Sequence, residues 1–457
     1  MPVSSRTVAA LRRDRRLPYL VLFAISLMLV AAHLTSYTEI GPIDELQHID
    51  YADKVGHFSV PRFPEEVNQR ALGETACRGL DSLFLISDPC GQDKYDPTHF
   101  QEGGQNTAAF HPPLYYALVG IPGRIVAAVS GKSAVGVERF FGAFWLGAAL
   151  CLMLAATTRL GASPWRTVAV LVAVASTAQV VYMHSTVSND ATALFSGALC
   201  LWAVVRYRPD RWSAVGLVAA GAFAGATKLT NGFGVGVACL FAVFAPWALA
   251  AGTTAAVEWR TRLRPVVLLG VGYAAVTAAW QAVFTVTRLQ DPQDVAIFSR
   301  FKPAHLTLQE VIAQIPVYAD PLRTTVPPHA GVSGPAHTAH IFEGPVPATV
   351  TLLVSFLLAA AAYGSWSLLS PSRRSAATVL GASATVLLLV AGPVQYLAQY
   401  FASSAGQTQS RYAYSIVPAM AVTGAMLLRA PARWIITALA AVGAASIVVV
   451  ALWSNLV

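Results

Sequence analysis

Residues 17–36 read LPYLVLFAISLMLVAAHLTS, a run of 20 residues without Asp, Glu, Lys or Arg. A helix needs about 20 apolar residues to cross the hydrocarbon core of a bilayer, so this run predicts a transmembrane helix. Residues 1–16, just before it, contain five arginines and one aspartate. Because positive residues accumulate on the cytoplasmic side of a membrane, residues 1–16 are predicted to form a cytoplasmic, basic N-terminus.

Composition extends this conclusion to all 457 residues. Hydrophobic residues make up 55% of the chain, charged residues only 12%, and the mean hydropathy is +0.54. Soluble domains carry about 25% charged residues, and half that share cannot cover a water-exposed surface. A soluble enzyme is therefore excluded, and the many long apolar runs also exclude a disordered or fibrous chain. The sequence predicts an all-α polytopic membrane protein.

Eleven apolar runs are long enough to be predicted as transmembrane helices. Run 17–36 is the first, six more fall within 139–286, and four fall within 347–457. A twelfth run, 113–130, is interrupted by a Pro-Gly-Arg sequence and is predicted to lie as a helix on the outer surface. The ten runs after the first are 139–158, 167–184, 189–205, 213–227, 231–251, 265–286, 347–369, 376–397, 413–428 and 434–453.

The charges sort by side when 113–130 is kept outside. The cytoplasmic segments then hold 17 of the 31 Lys and Arg residues, as the positive-inside rule requires. Two large outer loops result, 37–138 and 287–346, and the first holds 14 of the 23 acidic residues against seven Lys and Arg. The net charge of +8 is thus a signal of topology and not of a nucleic-acid partner.

The five cysteines divide in the same way. Cys77 and Cys90 share the first outer loop, whereas the other three lie within predicted spans. Two cysteines that face an oxidising compartment predict a disulfide, although they could also be two unrelated thiols. The sequence contains no CxxC or HExxH pattern, so neither a structural zinc site nor a zinc protease has support.

Chemistry-bearing residues follow the first span. The segment GPIDELQHIDY at 41–51 predicts a helix that begins after Pro42, with Asp44 and His48 four residues apart on one face. Adjacent carboxylates at a membrane surface raise each other's affinity for protons, which suits Asp44 and Glu45 to general-base chemistry. Alternatively, these acids only cap a helix whose dipole favours negative charge at its start.

Further candidates lie at the predicted outer ends of later segments. His111 precedes a Pro-Pro pair and Tyr115, where it could bind a polar head group or serve only as a structural hydrogen-bonding residue. Asn189 and Asp190 form an outer turn, and Asp190 is either functional or an ordinary helix cap.

Two cations, Lys228 and Arg411, lie on the predicted outer side against the positive-inside trend, and Tyr412 follows the second of them. An anionic lipid phosphate would favour a cation there. The alternative is that both side chains snorkel to any outer-leaflet phospholipid.

The ordered set of motifs resembles the glycosyltransferase C superfamily. These motifs are DExxH at 44–48, HPPLYY at 111–116, SND at 188–190, TKLT at 227–230 and QxxxRY at 407–412. The most similar members are bacterial relatives of the protein O-mannosyltransferases and the lipid A aminoarabinose transferase. The resemblance covers about residues 17–250 and, beyond them, Arg411 and Tyr412.

The resemblance implies a bundle of about eleven transmembrane helices with surface helices in the first outer loop. It implies an inverting transferase of the bacterial cell envelope that moves a sugar, a hexose or a pentose, from a polyprenyl-phosphate donor to a glycan, lipid or protein acceptor. The active site would lie on the outer face of the plasma membrane. Abundant Ala, Val and Arg favour a high-GC bacterium as the source.

The resemblance also implies roles for single residues. Asp44 would be the general base that deprotonates the acceptor hydroxyl, and Glu45 the second acid. Lys228 and Arg411 would bind the phosphate, and Asp190 would orient the donor sugar or a metal. Some superfamily members use a divalent cation and others need none, which leaves the cofactor open. His48, His111, Tyr115, Asn189 and Tyr412 are the remaining candidates for substrate binding.

A transporter or flippase of a lipid-linked saccharide is the alternative function. Such proteins often contain inverted repeats, and ionisable residues or broken helices near the bilayer midplane. The sequence predicts neither, because the candidate residues cluster at the outer ends of spans. A structural or assembly protein without chemistry is a third alternative, disfavoured by the set Asp44, Asp190, Lys228 and Arg411.

Overall fold

A computed structural model describes residues 5–42, 44–79, 88–249, 259–295, 306–322, 345–370, 372–401 and 409–454. Much of the predicted second outer loop, 287–346, lies outside these residues, as do Gln407 and Thr408 of the QxxxRY motif. Within them the chain forms helices and no strand, and an antiparallel bridge joins Glu66 to Gln105.

Helices follow the apolar runs and the cap residues of the sequence. They are α1 (Ser5–Ser36), α2 (Glu45–Gly56), α3 (Gln69–Arg78), α4 (Leu114–Ser130), α5 (Ala134–Arg159), α6 (Pro164–Ala175), α7 (Ala178–Ser185), α8 (Ala193–Arg206), α9 (Arg211–Thr227), α10 (Gly232–Leu249), α11 (Trp259–Thr287), α12 (Leu308–Ala313), α13 (Ile315–Ala319), α14 (Pro345–Gly364), α15 (Ala376–Phe401), α16 (Val417–Leu427) and α17 (Ala432–Ser454).

Length and hydropathy confirm the predicted all-α polytopic membrane protein. In the described part of the chain, seven helices are long and apolar enough to cross a membrane, and an eighth crossing results if α6 and α7 form one bent span. The seven are α1, α5, α10, α11, α14, α15 and α17. The other predicted spans form α8, α9 and α16, which have only 14, 17 and 11 residues. The count of eleven therefore stays a prediction.

The predicted absence of a broken helix is wrong. Helices α6 and α7 bend by 72° at Ser176 and Thr177, where both hydroxyls donate to backbone carbonyls of α6. Thr351 of α14 accepts the N–H of Ala178 at 3.1 Å, which supplies a partner at the break. Such satisfaction by a neighbouring helix is what lets a membrane helix break.

The predicted first outer loop, 37–138, contains α2, α3 and α4. Helix α4 packs along α2, so closely that a side chain at Gly120 would overlap the carbonyl oxygen of Ala52. The predicted disulfide between Cys77 and Cys90 is present and closes the segment that follows α3. These surface helices form a buried layer of their own against the start of α5.

Candidate active site

Asp44 stands at the N-terminus of α2 in a left-handed conformation, with φ of 57°. Its side chain makes no hydrogen bond that caps the helix. Instead the carboxylate accepts from Arg411 at 3.0 Å, and 40% of the side chain is exposed. The acid that the sequence offered either as a base or as a cap therefore makes its contact with a cation 367 residues away.

Asp44 and Arg411 belong to a cluster of four charges. Arg411 also lies 3.5 Å from Asp190 through Nε, and Lys228 donates to the same Asp190 carboxylate. The Asp190, Lys228 and Arg411 side chains are at most 4% exposed. The structure thus joins two carboxylates and two cations, and only Asp44 among them presents a substantial exposed surface.

Tyr412 lies against both cations of the cluster. Its ring centroid is 5.0 Å from the Lys228 ammonium and 5.4 Å from the Arg411 guanidinium. An aromatic face at these distances attracts a cation. Tyr412 therefore helps to hold Lys228 and Arg411 side by side.

An aromatic layer from α2 and α4 borders the cluster. His48 Nδ1 lies 2.7 Å from the hydroxyl of Tyr116, and the ring of Tyr116 stacks on Tyr51 at 3.7 Å. The ring of His111 is also nearly parallel to that of His48, with 5.9 Å between the ring centroids. The predicted pair Asp44 and His48 therefore shares one end of α2, with His111 beside it.

Burial keeps both histidines neutral. It lowers the pKa of His48 from 6.5 to about 4, with Asp44 opposing and Lys228 reinforcing the shift. Burial, reinforced by the charge of Lys228, also holds the pKa of His111 well below its ordinary value. A neutral His111 offers a hydrogen bond but no positive charge to a phosphate.

Glu45, predicted as a second acid, makes different contacts from Asp44. Its side chain is only 1% exposed and is ion-paired with Arg139 at 2.8 Å. Its two oxygens also accept the backbone N–H groups of Gly41 and Val187. These contacts are buried, whereas Asp44 is exposed. They therefore do not support contact between Glu45 and a substrate.

Two predicted substrate-binding residues hold the Asp190 turn in place. The hydroxyl of Tyr115 accepts the N–H of Ser188 at 3.0 Å, and the amide of Asn189 donates to the Thr227 carbonyl at 3.2 Å. Because Thr227 immediately precedes Lys228, Asn189 fixes the spacing between the Asp190 turn and the cation. Both side chains are buried.

Tyr116 and Arg139 are contacts that the sequence predictions missed. Arg139 could have been found, because it lies at the predicted outer end of a span against the positive-inside trend, as Lys228 and Arg411 do. Tyr116 carries no comparable signal, since a tyrosine at helical spacing is usually part of the core.

The site can perform acid–base and anion-binding chemistry. An exposed carboxylate beside two cations can accept a proton from a hydroxyl while the cations neutralise a leaving anion. Among the described residues, no group of three or more His, Cys, Asp and Glu side chains could hold a metal ion. The need for a divalent cation stays open.

Fold and site together define an all-α polytopic membrane protein with an ion-paired cluster beside its surface helices. Among solved structures, the chain is similar to the crystal structure of ArnT from Cupriavidus metallidurans bound to undecaprenyl phosphate, with 16% sequence identity and a TM-score of 0.47. The similarity covers 91% of this chain and 61% of the ArnT chain, so this chain spans about three-fifths of that protein's length. No protein-family model matches the chain, and no curated protein matches it.

Proposed function

We propose that this protein is an integral membrane glycosyltransferase that moves a sugar from a polyprenyl-phosphate donor to an acceptor hydroxyl on the outer face of a bacterial plasma membrane. The observation that carries the proposal is the contact of Asp44 with Arg411 at 3.0 Å. It joins the motif after the first span to the motif before α16, in a cluster that also contains Lys228. The polyprenyl-phosphate donor is inferred from the resemblance of these motifs to the glycosyltransferase C superfamily.

The residues support an inverting displacement. The Asp44 carboxylate takes the proton of the acceptor hydroxyl as the oxygen attacks the anomeric carbon of the sugar. The bond between that carbon and the phosphate oxygen breaks on the opposite face, and the electron pair leaves with the polyprenyl phosphate. Lys228 and Arg411 stabilise the charge that develops on the phosphate.

Reconstitution with lipid-linked sugars and Asp44→Asn tests the proposal. The amide cannot accept the hydroxyl proton, and we expect transfer to fall at least 100-fold, within the range that general-base catalysis contributes. Asp53→Asn is the matched control, because Asp53 lies on the same helix but pairs with Arg70. Full transfer by the Asp44 variant would refute its role as the base.

The bend between α6 and α7 favours the alternative, a transporter or flippase of a lipid-linked saccharide, because broken helices often form transport sites. The same reconstituted vesicles separate the two functions. If the lipid-linked sugar reaches the inner leaflet and no sugar is transferred to any glycan, lipid or protein acceptor, the alternative is supported and the transferase is not.

A further inference from the structure

The Glu45 carboxylate is saturated with hydrogen bonds. Oxygen Oε1 accepts from Arg139 Nε and from the Val187 N–H, both at 2.8 Å. Oxygen Oε2 accepts from another nitrogen of Arg139 at 2.8 Å and from the Gly41 N–H at 2.6 Å. A carboxylate offers about four acceptor positions, so these donors use its full capacity. Glu45 is thus bound entirely by the protein, although its neighbour Asp44 is exposed.

Arg139 extends these contacts to the end of α1. Besides Glu45, its guanidinium donates to the backbone carbonyls of Tyr37, Thr38 and Glu39. The planar fork of an arginine reaches several acceptors at fixed angles, which a lysine ammonium cannot reproduce. Arg139 itself lies near the start of α5 and is 1% exposed.

The backbone around the pair leaves no room for variation. A side chain at Gly41 would press on the hydroxyls of Tyr182 and Tyr37 and on the Glu45 carboxylate itself. The glycine at position 41 therefore lets its N–H approach Glu45 without displacing these side chains. Val187, the other backbone donor, precedes Asp190 by three residues.

We propose that Glu45 and Arg139 form a positioning pair that fixes Asp44 relative to the turn carrying Asp190. One ion pair ties together the end of α1, the start of α2, the start of α5 and the turn after α7. It rests on the proposed function in assigning the reaction to Asp44 and Asp190. Since a displacement of about 1 Å can cost 100-fold in rate, loss of the pair lowers turnover without removing a reacting group.

Hydrogen exchange tests the pair directly. In Glu45→Gln one oxygen becomes an amide nitrogen, and in Arg139→Lys the fork is lost. Both variants are expected to raise amide exchange at least tenfold in the peptides that contain Gly41 and Val187. Glu65→Gln is the matched control, because Glu65 pairs with Lys54 in the same segment, 37–138. Unchanged protection in both variants would overturn the proposal.

Kinetics separates positioning from proton transfer. In Glu45→Gln we expect kcat to fall at least tenfold, with binding of undecaprenyl phosphate in nanodiscs within threefold of wild type. The pH profile of kcat keeps its acidic limb, because the substitution removes no proton-transfer group. Disappearance of that limb would make Glu45 a proton-transfer group and overturn the proposal, as would an unchanged kcat.

Misfolding of a variant and failure of the proposed function give different results. If Glu45→Gln does not fold, Arg139→Lys is judged by the same criteria, since it keeps the charge at that position. If the wild-type protein transfers no sugar, the proposed function fails, whereas exchange at Gly41 and Val187 still decides whether the pair holds these segments together.

Discussion

The backbone of Asp44 explains why this acid is available for chemistry. A positive φ is uncommon outside glycine, and Asp tolerates it better than most residues. In this conformation the carboxylate turns away from the helix N–H groups that it could cap and contacts Arg411. The spacing of Asp44 and His48 could be predicted from the sequence. The choice between cap and base could not, because it depends on a φ angle and on a partner 367 residues away.

A second prediction at the level of single residues concerns Lys228. In Lys228→Gln the buried Asp190 loses the Lys228 charge and keeps Arg411 as a cationic partner. Arg411 is then drawn toward Asp190, and the two positive charges available to a lipid phosphate are reduced. We expect the Kd for undecaprenyl phosphate to rise 10- to 100-fold, about 1.4 to 2.7 kcal/mol.

Binding of undecaprenyl phosphate to the protein in nanodiscs measures this change, and Lys54→Gln is the control. Lys54 lies in the segment 37–138, where it pairs with Asp50 and Glu65 and not with the acids of the four-charge cluster. An affinity of Lys228→Gln equal to that of the control would contradict a role in phosphate binding.

Helix α2 illustrates what periodicity can and cannot predict about an element. The sequence placed Asp44 and His48 on one face, and both lie at or beside the site. It did not predict that the face would be closed by Tyr116 from α4, because the packing of one surface helix on another is decided by tertiary contacts. The neutral state of His48 follows from that burial.

This burial predicts a pH dependence of stability. The pKa of His48 is lowered from 6.5 to about 4, so between these values the unfolded chain binds a proton that the folded chain does not. Stability is full above pH 6.5 and falls as the pH drops toward 4, by roughly 3 kcal/mol from this residue. We expect the thermal midpoint to fall over this window.

His48→Asn should reduce the fall in thermal midpoint, although His111 continues to contribute to it. His57→Asn is the control, because His57 lies at the end of α2 with 48% of its side chain exposed. A His48 variant whose midpoint falls as steeply as that of the wild type would show that this histidine is not held neutral.

The bent pair α6–α7 shows where an apolar run misleads. Run 167–184 is continuously apolar enough to read as one span, and the hydroxyl residues Ser176 and Thr177 do not interrupt it. The break becomes visible only through their hydrogen bonds to α6 carbonyls and through the contact of Ala178 with Thr351. Long-range satisfaction of a backbone group has no local sequence signal.

At the scale of the whole molecule, hydrogen bonds join the ends of neighbouring helices. The start of α5 contacts Glu45 through Arg139, and its end contacts the end of α8 through Arg159 and Val205. Val187, after α7, returns to Glu45. The pair α6–α7 must therefore carry the chain back to the side of the site despite its bend. The hydropathy runs predicted this alternation, but not which side chains meet at each end.

This geometry predicts a topology that cysteine labelling can measure. Because α5 leads away from the site and α6–α7 leads back, we predict that Ser59 and Ser163 lie on opposite sides of the membrane. We expect an impermeant thiol reagent to label Ser59→Cys in intact cells, and Ser163→Cys and Arg208→Cys only after permeabilisation, in a background that lacks Cys151, Cys200 and Cys239. All three positions are exposed. The two remaining cysteines, Cys77 and Cys90, are joined in a disulfide and do not react with the reagent. If both Ser59→Cys and Ser163→Cys were labelled from outside, both ends of α5 would lie on one side, which contradicts the crossing. If Ser59→Cys were labelled only after permeabilisation, the site would lie on the cytoplasmic face.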